Sequence, residues 1–74
     1  MRIISRLRIE DLRTDADRTQ RETAEMLHMH LTTYREYEQQ KRRIPADFIL
    51  KIARLYNVST DYILGLTNDK RKFW

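Results

Sequence analysis

The sequence predicts an all-α fold, a compact domain of five short helices. Three observations predict it. Among 74 residues there is one Gly, one Pro and no Cys. That leaves too few breakers for hairpins or Gly-rich phosphate loops, and no sulfur for a disulfide scaffold or a Cys-based metal site. Apolar residues recur at spacings of three and four, the period of a helix with one buried face. Helix-start residues stand before these stretches and turn-tolerant residues behind them. A chain of this length buries only about 60% of the surface its unfolded form exposes. It holds one modest core and has little room for a deep enzyme pocket.

The first helix is expected from about Ile4 to Asp15, with Ile9, Leu12 and Ala16 as its inner stripe; Asp17 then tolerates a turn. Thr19-Gln20-Arg21-Glu22 fits a capping box, a hydroxyl at the cap and a Glu three residues on, and opens a second helix. Thr23, Ala24 and Leu27 share its next face, and the small Ala24 lets another helix approach closely. His28-Met29-His30 interrupts the pattern. A third helix is expected from Leu31 to about Gln39. Tyr34 and Tyr37 point one way along it, and Thr32, Arg35, Glu36 and Gln39 point another. After the basic connector Lys41-Arg42-Arg43, Pro45 marks a helix start, and Asp47 suits the positive end of the helix dipole. Phe48, Ile49, Ile52, Ala53, Leu55 and Tyr56 form the clearest amphipathic stripe, which Asn57 ends. Ser59 caps a short fifth helix, Thr60 to Leu64, and Gly65 stops it; Leu66 to Trp74 shows no periodicity.

The 15 Lys and Arg against 11 Asp and Glu give a net charge of +4, and its distribution says more than its size. Residues 19–40 carry more acids than bases. Residues 41–56 hold Lys41, Arg42, Arg43, Lys51 and Arg54 against Asp47 alone. A solvated face explains such a cluster; a contact with a polyanion is the sharper explanation. No apolar run approaches the roughly 20 residues of a membrane helix. Met1 to Leu7 lacks the apolar block and cleavage site of a signal peptide. With no Cys, the chain fits a reducing compartment, and a cytoplasmic location is expected. No cofactor, metal or small-molecule ligand is expected. His28 and His30 stand two apart and would diverge on a helix, and no nucleophile–base pair suggests an enzyme.

Two short helices joined by a tight turn, the second with a polar outer face, make a helix-turn-helix. The first, Gln20 to Leu27, would brace the second, Leu31 to Gln39, which is narrow enough to enter the major groove of DNA. Arg35 can donate two hydrogen bonds to guanine, Glu36 can accept from cytosine N4, and Leu31 can touch a thymine methyl. Lys and Arg on phosphates add affinity without reading sequence.

The run Leu12-Arg13, Thr19-Gln20, Ala24, Tyr34 and Tyr37-Glu38 resembles the Cro/repressor (xenobiotic-response-element-like) helix-turn-helix family. So does the stretch Val58-Ser59-Thr60-Asp61-Tyr62-Ile63-Leu64-Gly65, and the resemblance spans roughly Arg8 to Thr67. It implies a lambda-repressor-like domain over residues 1–67, followed by a basic and aromatic tail over 68–74. By the same resemblance, Arg13 and Glu38 match an internal ion pair. Leu31, Thr32, Arg35 and Glu36 match positions facing base edges. Gln20, Arg21, Thr33, Gln39, Lys41, Arg42 and Arg43 are expected at phosphates. The expected partner is double-stranded DNA, bound by a two-fold homodimer of a prokaryotic or phage transcriptional regulator, a repressor in the leading reading. Ile63, Leu66, Phe73 and Trp74 are its candidate dimer surface. With the chain ending at Trp74, no separate sensing domain is expected, and control would come through concentration, a partner or degradation.

The chain departs from the family pattern at four places. His28 stands where the turn often has Gly, and Arg18 replaces an apolar residue, with a stem able to cover the same surface. Gln39-Gln40 replaces a frequent Asn-Gly, which leaves room for a longer third helix, and Glu36 brings a negative charge to the groove. The competing reading is a protein-capture module, an antitoxin or anti-repressor on the same scaffold, favoured by the acidic segment 19–40. The tail from Lys70 to Trp74 reads equally as a frayed end, a dimer contact or a basic arm on DNA.

Overall fold

A computed structural model describes residues 7–71. Five helices follow in order: α1 (Ile9–Asp15), α2 (Gln20–Met26), α3 (Leu31–Glu38), α4 (Ala46–Tyr56) and α5 (Thr60–Ile63). No strand occurs among the described residues. The core gathers Ile9 and Leu12 of α1, Ala24 of α2, Tyr34 of α3, Phe48, Ile52 and Ala53 of α4, and Ile63 of α5. The T-shaped contact of Tyr34 with Phe48 (6.1 Å between centroids) and the closer Tyr37–Phe48 pair (4.6 Å) lock α3 onto α4.

The first helix begins later than its apolar spacing suggests. The N–H of Leu7 donates to Gln40 Oε1 (2.9 Å) and that of Arg8 to the Ile63 carbonyl (3.0 Å). Both donors are committed to distant partners, so the helix starts only at Ile9; Ile4 lies outside the described residues. Ala16 leaves the expected stripe. It caps the C-terminus of a seven-residue helix and is exposed, because the stripe extends one turn further than the helix does.

All five helices stop in the same way. Asp17, His28, Gln40, Asn57 and Gly65 take left-handed φ values of 56° to 77°. The N–H of the next residue then reaches back five positions: Arg18 to Arg13, Met29 to Ala24, Lys41 to Glu36, Val58 to Ala53 and Leu66 to Asp61. This is the Schellman closure, and only the last uses the residue that enters this region freely. Gln40 therefore ends α3 at Glu38, where the absence of Gly left room for a longer helix.

Residues 66–71 lie along the body. Ser59 N–H donates to the Lys70 carbonyl (2.9 Å), and Arg8 donates to the Thr67 carbonyl (3.0 Å) and to Asn68 Oδ1 (2.8 Å). Arg8 and Lys70 both stand over the Tyr62 ring, at 4.4 and 5.5 Å. These contacts hold residues 67, 68 and 70 against Arg8, Ser59 and Tyr62. Ile63 needs correcting as a dimer-surface candidate: its side chain is wholly buried in the core. Leu66 stays 63% exposed, and Phe73 and Trp74 lie outside the described residues.

Candidate nucleic-acid interface

The capping box at α2 is complete. Glu22 N–H donates to Thr19 Oγ1 (3.0 Å) and Thr19 N–H donates to Glu22 Oε1 (2.8 Å). Thr23, Ala24 and Leu27 are buried against the rest of the domain. His28 then turns the chain, and extended His30 sends it into α3. Arg18 lies with its guanidinium over the Tyr56 ring at 5.5 Å, covering apolar surface ahead of the cap.

One carboxylate ties the two helices to α1. Glu38, its side chain 3% exposed, accepts from Arg13 Nε (2.9 Å) and Nη2 (3.1 Å), from Tyr34 Oη (2.7 Å) and from Gln20 Nε2 (2.9 Å). Arg13 Nη1 also donates to the Arg18 carbonyl (2.8 Å). Burial pulls the Glu38 pKa upward, but hydrogen bonds from Arg13, Gln20 and Tyr34 outweigh it and hold the carboxyl below its ordinary value. The Tyr34 phenol is pushed up by burial and by its bond to Glu38. Arg13 holds its proton more firmly because it donates to Glu38.

The opposite side of α3 is bare. Thr32, Arg35 and Gln39 are exposed, and 42% of the Glu36 side chain is accessible. Leu31 and Thr33 are half-buried, with Leu31 packed on the edge of the core. Arg21, in the first turn of α2, and Lys41, Arg42 and Arg43, in the loop after α3, are exposed. Three of these groups already have partners. Arg42 Nη1 pairs with Glu36 Oε1 (3.0 Å) and lies over the Tyr37 ring at 5.5 Å. Arg35 Nε donates to Gln20 Oε1 (3.2 Å).

The sequence reading missed several of these roles. The Tyr34 hydroxyl was hidden behind an aromatic read only as core, although its i,i+4 spacing to Glu38 was a usable signal. Gln20 turns inward to Glu38 and along α3 to Arg35, and is not simply presented to a phosphate. The capture of Leu7 N–H by the Gln40 side chain joins residues 33 apart, and no local signal announces it.

A family profile described as Helix-turn-helix matches residues 9–63. The chain is 40% identical over 62 residues to "Uncharacterized HTH-type transcriptional regulator YobD" of Bacillus subtilis, covering 84% of this chain and 55% of that one. It is also 40% identical over 65 residues to "HTH-type transcriptional regulator ImmR" of the same organism, covering 88% of this chain and 51% of that one. The chain thus spans about half the length of these relatives. Among the described residues, no helix is long and apolar enough to cross a membrane. With the profile running from the first turn of α1 to the end of α5, the chain belongs to the helix-turn-helix family, of the Cro/repressor type that its sequence resembles.

Proposed function

We propose that this protein binds double-stranded DNA sequence-specifically as a transcriptional regulator, a repressor acting as a two-fold homodimer on an inverted repeat, with α3 in the major groove. The observation that carries the proposal is the division of α3. Its Tyr34 side is wholly buried, while Thr32, Arg35 and Gln39 lie exposed, with Glu36 beside them. Leu31, Thr32, Arg35 and Glu36 then face base edges. Gln20, Arg21, Thr33, Gln39, Lys41, Arg42 and Arg43 lie toward phosphates. The relatives, both named as HTH-type transcriptional regulators, support the same reading. Of the candidate surface for the second subunit, Leu66 is the member that lies exposed among the described residues.

Selection of bound duplexes from a random pool, with salt titration, tests this. The expected result is an enriched inverted repeat with half-sites about one helical turn apart. Arg35→Ala should weaken specific binding far more than non-specific binding. Joint replacement of Lys41, Arg42 and Arg43 by Ala should flatten the slope of log K against log salt by up to about 0.9 for each phosphate no longer neutralised. A pool with no enriched duplex overturns the proposal in favour of protein capture.

A further inference from the structure

Gln20 is held at both ends of its amide. A carboxylate has only acceptors, so the group facing Glu38 has to be the Gln20 NH2, and the carbonyl Oε1 is forced to the other side. There it meets Arg35 Nε at 3.2 Å. The amide is thus oriented by the buried pair of Arg13 and Glu38, whose side chains are 13% and 3% exposed. It hands that orientation to an exposed side chain on the bare face of α3.

From this we infer that Gln20 is a positioning residue for Arg35, and that the half-site carries a guanine read end-on by Arg35. The inference rests on the reading that α3 enters the major groove. With Nε engaged by Gln20, the edge of the guanidinium formed by Nε and one terminal nitrogen is closed to the base. The two terminal nitrogens remain, and their parallel N–H groups match O6 and N7 of guanine. A free Arg side chain loses rotamer freedom when it docks; a tethered one has surrendered part of it beforehand. The discrimination at that base pair therefore depends on Gln20, a residue on another helix. A side chain that merely gripped a phosphate would lower affinity for every duplex equally when removed.

Gln20→Met keeps the length and helix preference of the side chain and removes both polar ends. In the wild-type protein, changing the guanine in the selected half-site should weaken binding roughly 10- to 100-fold, the range of a bidentate contact. In Gln20→Met that ratio should fall toward one, beyond any loss that a missing phosphate contact imposes equally on both duplexes. In an Arg35→Ala background the same replacement should leave the ratio as it is. A spectroscopic readout needs no DNA. The Arg35 Nε–H resonance of the free wild-type protein should show hydrogen-bonded shift and slowed exchange, and both should vanish in Gln20→Met. If Gln20→Met fails to fold, the wild-type resonance decides alone. Undiminished guanine discrimination in a folded Gln20→Met, or an Arg35 Nε–H exchanging like that of a free side chain, overturns the inference and leaves the DNA-binding proposal standing. A protein that selects no duplex removes both.

Discussion

Replacing Glu38 by Gln tests the joint between the three N-terminal helices with almost no change of shape. Each oxygen of Glu38 accepts two hydrogen bonds, Oε1 from Arg13 Nε and Tyr34 Oη, Oε2 from Arg13 Nη2 and Gln20 Nε2. A Gln has one oxygen and one NH2, so in either orientation two donors face a donor. Two charge-assisted bonds disappear, each worth about 1.5–3 kcal/mol net. The Arg13 cation is left without its counter-charge in a nearly closed site. Removing one partner of a buried pair costs about 3–5 kcal/mol, which agrees with the sum over bonds. Small domains hold roughly 0.05–0.15 kcal/mol per residue, so the loss takes a large share of the whole. Thermal melting followed by far-UV circular dichroism should show a midpoint at least about 12 °C lower, at roughly 4–8 °C per kcal/mol. The pH dependence adds a second check. The folded-state pKa of Glu38 lies below its ordinary 4.5, so its contribution is present above that value and is lost as pH falls through the folded pKa. Wild-type stability should therefore drop on acidification below about pH 4.5, and the variant should lack that part of the drop. A loss under about 1 kcal/mol at pH 7 would refute the reasoning, because four bonds to one buried carboxylate would then be worth no more than a surface pair.

Other perturbations probe the rest of the molecule. His28→Gly removes a left-handed penalty of about 1–2 kcal/mol and adds back about 0.5–1 kcal/mol of chain entropy. A midpoint a few degrees higher is expected in thermal melts, and an unchanged or lower one would show the imidazole to be stabilising. Gln40→Gly should gain nothing comparable, because it also frees the Leu7 N–H. The buried Tyr56 hydroxyl has no partner among the described residues, so Tyr56→Phe should raise stability by about 1 kcal/mol; urea titration showing a loss would mean the hydroxyl is bonded. Arg8→Ala removes the bonds to Thr67 and Asn68 and one cation over Tyr62. Hydrogen exchange should then accelerate over residues 66–71 while the core of α4 stays protected.

Features written in neighbouring residues were legible. Thr19 and Glu22 announced the start of α2 because a capping box is a local device, and the stripe of α4 announced its buried face because periodicity is local too. Tyr34 inward with Thr32 and Arg35 outward followed from the same arithmetic. Features joining distant residues were not legible. Where α1 starts depends on carbonyl and amide partners at Ile63 and Gln40, and an apolar Ile63 reads the same whether it faces solvent or the core. The end of α3 was obscured for another reason. The left-handed position is held by Gln40, a residue that gives no warning of a stop. The family resemblance pointed to Arg13 and Glu38 but said nothing of how Gln20 divides its amide between Glu38 and Arg35.

The strap over Tyr62 has a mechanical consequence. Arg8, close to the first described residue, grips Thr67 and Asn68 near the last, so the two ends of the described chain are stapled side by side. Peeling residues 67–70 from the body would break these bonds and the Ser59–Lys70 bond. None of them involves the carboxylate that joins α1, α2 and α3, so this edge can open locally while that joint stays shut.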